Sequence, residues 1–159
     1  VHLPAMYVLA IGNLRSGGVL MALAGLVDTL DGALARETGQ DSQFGAFLDS
    51  VTDRFSEGTV LFGLFLWYLR TGARLELALI YVALLGSVMV SYARARAEAV
   101  GFECKVGLLG RFERVAILAA GLFVQQVRLT LWVMAVLTNV TAVQRIYHVW
   151  RHRLQGGSD

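Results

Sequence analysis

Between residues 28 and 53 the chain reads DTLDGALARETGQDSQFGAFLDSVTD, and four of its aspartates fall at helical spacings. Asp28 and Asp31 are three apart and Asp49 and Asp53 four apart, so each pair shares a face of one helix. A turn at Thr38-Gly39-Gln40 would run the two helices antiparallel and let four carboxylates converge. Left unpaired at membrane depth, each would cost about 2.5–3.5 kcal/mol. Gathering around one or two divalent cations offsets that repulsion, and an all-oxygen donor set selects a hard ion, Mg²⁺ or Mn²⁺, over zinc. Gly32, Ala35 and Gly45 remove side-chain bulk beside the acids, so a flat or phosphorylated ligand can approach the backbone. Arg36 can hold phosphate oxygens with its two-pronged guanidinium. Plainer roles exist for the same residues: close helix packing for the small ones, reaching out to the membrane interface for Arg36. Glu37 and Asp41 read as solvated turn residues.

The elements that must position these groups are apolar. Of 159 residues, 56% are hydrophobic and 16% charged, with a mean hydropathy of +0.58. Soluble domains carry about 25% charged residues, so the composition calls for a membrane. Hydrophobic segments cover 3–12, 17–36, 43–69, 75–97, 107–127 and 129–148, and the first is short of the ~20 residues a spanning helix needs. Trp67, Tyr68, Tyr147 and Trp150 stand at segment ends as interface anchors. The expectation is an all-α polytopic membrane bundle of about six transmembrane helices with the first truncated, built as a single domain over 1–159. Val1 is not an initiator methionine and no signal peptide follows it, so the chain reads as a piece whose natural start lies upstream.

A zigzag across the bilayer sorts the 14 lysines and arginines ten to four. Arg36, Arg54, Arg94, Arg96, Lys105, Arg111, Arg114, Arg145, Arg151 and Arg153 take one side, Arg15, Arg70, Arg74 and Arg128 the other. The positive-inside rule makes the richer side cytoplasmic, and the four aspartates fall toward it. The expected location is therefore the cell membrane with the active site facing the cytoplasm. A formal charge of +2 is too small to suggest nucleic acid. The single cysteine, Cys104, excludes an internal disulfide and a thiolate cluster. His148 and His152 read as surface residues.

Asp28-x2-Asp31-Gly32-x2-Ala35-Arg36-x8-Gly45-x3-Asp49-x3-Asp53 matches every fixed position of the CDP-alcohol phosphotransferase signature, and the chain resembles that family over nearly its whole length. The resemblance implies two metal ions held by Asp28, Asp31 and Asp49, with Asp53 able to contact one of them. It implies a CDP-lipid donor such as CDP-diacylglycerol, with CDP-side contacts from Asp31, Gly32, Ala35, Arg36 and Gly45. By the same resemblance Asp53 is the general base that takes the acceptor hydroxyl's proton before CMP leaves. Membrane lipid surroundings and a homodimer are further expectations carried over from the family.

The acceptor side is read from SYARARAEAVGFECKVGLLGRFER, residues 91–114. Ser91 and Arg94 share a helix face, and Arg96, Lys105, Arg111 and Arg114 gather nearby, a cation cluster suited to a small phosphorylated alcohol. Positive-inside anchoring is the plainer role for any one of them. Arg96-Ala97-Glu98 and Arg111-Phe112-Glu113-Arg114 resemble the branch that makes phosphatidylinositol phosphate from inositol phosphate, although Arg94 stands where that branch has Lys. The expected acceptor residues are Ser91, Arg94, Arg111 and Arg114. Two alternatives stand beside this: a phosphatidylglycerophosphate synthase using glycerol 3-phosphate, and a divalent-cation transporter. The transporter should show inverted repeats or matching broken helices, and the sequence has no such symmetry.

Overall fold

Pro4 sits in the first turn of the first helix, where a missing N–H is tolerated, and that helix, α1, runs His2–Ala10. The computed structural model describes residues 2–37 and 42–156, without the side chains of 29, 31–37 and 154–156. Among the described residues the chain forms six helices and no strand: α1, then α2 (Leu14–Glu37), α3 (Gln43–Thr71), α4 (Arg74–Ala99), α5 (Arg111–Phe123) and α6 (Val127–Gly156). The turn expected at Thr38-Gly39-Gln40 lies outside the described residues.

Local chemistry sets the boundaries. Ser42 caps α3 by accepting the Gly45 N–H at 2.9 Å. Gly72, at φ +71°, ends α3 in the left-handed conformation open to glycine, with its N–H on the Tyr68 carbonyl. Arg74–Ala99 and Val127–Arg153 are each long and apolar enough to cross a membrane. At 1.5 Å per residue α3 is about 44 Å long and α2 about 36 Å. The fifth element differs from the expected 107–127: α5 has 13 residues and is about 20 Å long, too short to cross a ~30 Å core by itself. The reason lies in the stretch 100–110, where Gly101 and Gly107 take φ +88° and +133° and break the helix.

α4 packs on α6, α1 on α3 and α2 on α5. Leu9, Leu61, Leu64, Leu118, Leu122, Leu131 and Met134 are fully buried between them. Outside, Tyr7, Phe55, Phe62, Tyr81, Trp132 and Val143 are exposed, an apolar exterior that suits lipid rather than water. Polar groups cross between helices where side chains are small: Asn139 donates to the Val82 carbonyl at 3.2 Å beside Gly86, and a Cβ on Gly86 would overlap Thr138. Arg70 donates to the Ala10 carbonyl at 3.3 Å and Arg128 pairs with buried Glu76 at 2.5 Å, both at the end opposite the aspartates.

The closest approach of a glycine to another helix's backbone yields a stability prediction. A Cβ on Gly63 would lie 2.6 Å from the Met6 carbonyl oxygen, a backbone atom that cannot swing aside. Gly63→Ala should therefore cost about 1–3 kcal/mol. Gly58→Ala should cost nothing or stabilise, since its nearest neighbour would be Leu84 at 3.8 Å. Thermal unfolding in detergent compares the two, and equal midpoints would contradict the close α1–α3 approach.

Candidate active site

Asp28 projects from the second half of α2 and Asp53 from the first half of α3, and Arg111, the first residue of α5, joins them. Its Nη2 donates to Asp28 Oδ2 at 3.0 Å and pairs with Asp53 Oδ1. Asp53 is the more enclosed, its side chain 11% exposed against 34% for Asp28. Arg54 Nη1 stands 3.6 Å from the other Asp53 oxygen while donating to the Ser50 carbonyl at 2.5 Å. His2 on α1 places Nε2 3.6 Å from Asp28 Oδ2. A cavity of about 20 Å³ lies among His2, Asp28, Asp53, Glu57 and Arg111.

One guanidinium nitrogen thus sits between oxygens of two carboxylates from different helices, so a cation at that point meets both. The two carboxylates offer oxygen ligands, which fit Mg²⁺ or Mn²⁺. Asp49 lies one turn before Asp53 on the same face of α3 and is exposed. Asp31, Gly32, Ala35 and Arg36 occupy the last turns of α2, and their side chains lie outside the described residues. Among the described residues no three His, Cys, Asp or Glu side chains are grouped to hold a metal. Gly45 is exposed in the first turn of α3, its N–H on Ser42.

The acceptor residues separate into two kinds. Arg111 reaches the carboxylates. Arg114, expected to hold an acceptor phosphate, is instead 2% exposed with its fork bound to Glu57, Nε–Oε1 at 2.8 Å and Nη2–Oε2 at 2.9 Å. The correction has a sequence cause. Glu57 is four residues beyond Asp53 and so on the same helix face, a spacing that could have flagged it. Ser91 donates to the Ser87 carbonyl at 3.3 Å, and Arg94 pairs with Glu98 at 2.8 Å, both side chains about half exposed. No described contact joins either to Arg111.

The stretch 100–110 delivers Arg111 and is tied to α6. Arg145, buried, donates to the Val106 carbonyl at 2.9 Å and the Val90 carbonyl at 2.6 Å. Thr141 Oγ1 accepts the Leu109 N–H at 3.2 Å. Further out, Lys105 pairs with Glu103 at 2.5 Å, which holds the exposed Glu103 carboxyl below its ordinary range. Beside the carboxylates, a groove of about 470 Å³ runs between α2 and α5. Ala22, Leu26, Leu30, Phe112 and Ala116 line it with apolar surface, and Arg111 is its charged lining residue.

Comparison with known proteins gives the family and the fold. The family model described as CDP-alcohol phosphatidyltransferase matches residues 1–144. An archaetidylinositol phosphate synthase of Pyrococcus horikoshii is 37% identical over 158 residues, 99% of this chain and 81% of that protein. A phosphatidylinositol phosphate synthase of Mycobacterium marinum is 37% identical over 157 residues, 92% of this chain and 67% of that one. The crystal structure of Mycobacterium tuberculosis phosphatidylinositol phosphate synthase with CDP-DAG bound superposes with a TM-score of 0.87 at 33% identity, covering 94% of this chain and 80% of that one. The same enzyme in complex with manganese and citrate gives 0.86 at 33% identity, covering 94% and 77%.

Proposed function

The chain belongs to the CDP-alcohol phosphatidyltransferase family, and we propose that it transfers the phosphatidyl-type group of a CDP-activated lipid to inositol phosphate, releasing CMP. The observation that carries this is the junction at Arg111, where an apolar groove meets two carboxylates from different helices. An amphiphile with apolar tails and a diphosphate head has that same polarity. The relatives named for inositol phosphate products support the acceptor.

In this reading Asp28, Asp31 and Asp49 hold two divalent ions, Mg²⁺ or Mn²⁺, and Asp53 is the base. Bound divalent cations would neutralise the diphosphate and the charge growing on departing CMP. Asp31, Gly32, Ala35, Arg36 and Gly45 hold the CDP side. Asp53, fixed by Arg111 and Arg54, accepts the proton from the acceptor hydroxyl. That oxygen bonds to the lipid-side phosphorus as the phosphorus–oxygen bond to CMP breaks. Arg111, with Ser91 and Arg94, receives the acceptor phosphate; the half-exposed Arg94–Glu98 pair is a weak surface tie that a phosphate can displace. The aspartate end faces the cytoplasm by its excess of arginine, and the enzyme works as a homodimer.

The test is CMP release from CDP-diacylglycerol with inositol phosphate, glycerol 3-phosphate, serine or inositol as acceptor. Inositol phosphate should exceed each of the others by tenfold or more, about 1.4 kcal/mol of discrimination per decade. Preference for glycerol 3-phosphate would establish the alternative synthase, and preference for unphosphorylated inositol or serine would remove the phosphate-binding role of Arg111.

A further inference from the structure

We infer that the buried Glu57–Arg114 pair is a positioning device that sets the register of α5 on α3 and so delivers Arg111 to Asp28 and Asp53. The inference rests on reading those three residues as the reaction centre. The two interactions form consecutive rungs. Glu57 follows Asp53 by four residues on α3, and Arg114 follows Arg111 by three on α5, so each helix advances by about one turn between rungs. The outer rung is the half-exposed Arg111 on its carboxylates, the inner one the enclosed bidentate pair, 2% and 8% exposed.

α5 needs such a device. It has 13 residues, its close backbone neighbours are α2 and α6, and beyond the apolar core its polar contacts with α3 run through Arg111 and Arg114. Its facing surface on α2 includes Gly18 and Ala22, small residues that bring the two backbones close. A slip of one residue moves a helix by about 1.5 Å and turns it by about 100°, enough to take Arg111 off both carboxylates. A planar fork on a carboxylate does not tolerate such a slip, which would also turn the buried Leu118 and Leu122 out of the core. A buried ion pair adds little net stability over apolar residues, and specifying register is the best-attested use of one. Arg114 does not touch the reacting groups, so its effect must pass through Arg111.

The experiment is a double-mutant cycle on CMP release, with acceptor KM and kcat determined separately and the thermal midpoint of each detergent-solubilised variant recorded. Glu57→Gln and Arg114→Lys should each reproduce the pattern of Arg111→Ala, a rise in acceptor KM of tenfold or more. Glu57→Gln combined with Arg111→Ala should be no more than about twofold worse than Arg111→Ala alone, since the delivered group is already gone. Glu76→Gln, at the buried ion pair of the opposite end, is the structural control and should lower the midpoint with acceptor KM unchanged. The exchanged pair Glu57→Arg with Arg114→Glu should regain part of the lost KM. Multiplying effects of Glu57→Gln and Arg111→Ala would overturn the inference while leaving the reaction centre standing. An unimpaired Arg111→Ala would overturn both. Should Glu57→Gln fail to fold, the milder Arg114→Lys closes the same cycle with Arg111→Ala and is read by the same two outcomes.

Discussion

Asp53→Asn is expected to lower CMP release by about 10²–10⁴-fold, the range for losing a positioned general base. The substitution keeps the shape of the side chain and leaves an oxygen to accept from Arg111, so the local structure should persist. Binding of Mn²⁺ and of CDP-diacylglycerol should therefore change by no more than about threefold, roughly 0.7 kcal/mol. Asp28→Asn and Asp31→Asn should behave in the opposite sense, weakening Mn²⁺ binding itself because they remove anionic oxygen from the cation. The site's geometry supports the split. Asp53 is the enclosed member, 11% exposed and held by two arginines, while Asp28 is open at 34%. Near-normal CMP release by Asp53→Asn, or loss of Mn²⁺ binding equal to that of Asp28→Asn, would show that Asp53 is only one more metal carboxylate.

Arg114→Met should have the largest effect on stability, about 3–5 kcal/mol, because it strands the Glu57 carboxylate at 8% exposure. Arg114→Lys should cost less, since an ammonium keeps the charge but satisfies one oxygen rather than both. Removing both charges, in Glu57→Leu with Arg114→Met, should recover most of the loss, as apolar replacements of buried ion pairs commonly do. Chemical denaturation in mixed micelles measures all three. A cost for Arg114→Met below about 1 kcal/mol would place the pair among solvent-screened surface contacts and contradict its burial. The recovered double variant also separates stability from chemistry: a stable protein with raised acceptor KM is the expected combination.

Much of this protein was legible in its residues. That Asp28 and Asp53 reach one common point, at Arg111, was within reach of the sequence, because helical spacing decides which side chains share a face. The bundle was legible from segment length and from arginines sorted to one end, since the bilayer imposes both on the sequence directly. The Arg94–Glu98 tie was also within reach, being four residues apart on one helix. Other features were decided only in three dimensions. The shortness of α5 came from Gly107 before it and Gln125 after it, whose positive φ interrupts the helix, the first in a loop held down by Arg145 and Thr141 of α6. Arg111 and Arg114 looked alike in sequence, two arginines three residues apart, yet one meets Asp28 and Asp53 and the other is consumed by Glu57, 57 residues away. Spacing fixes which residues share a helix face, but a side chain's partner across the bundle depends on the rotation and register of helices packed against each other, and those are set by the sum of contacts along every helix at once.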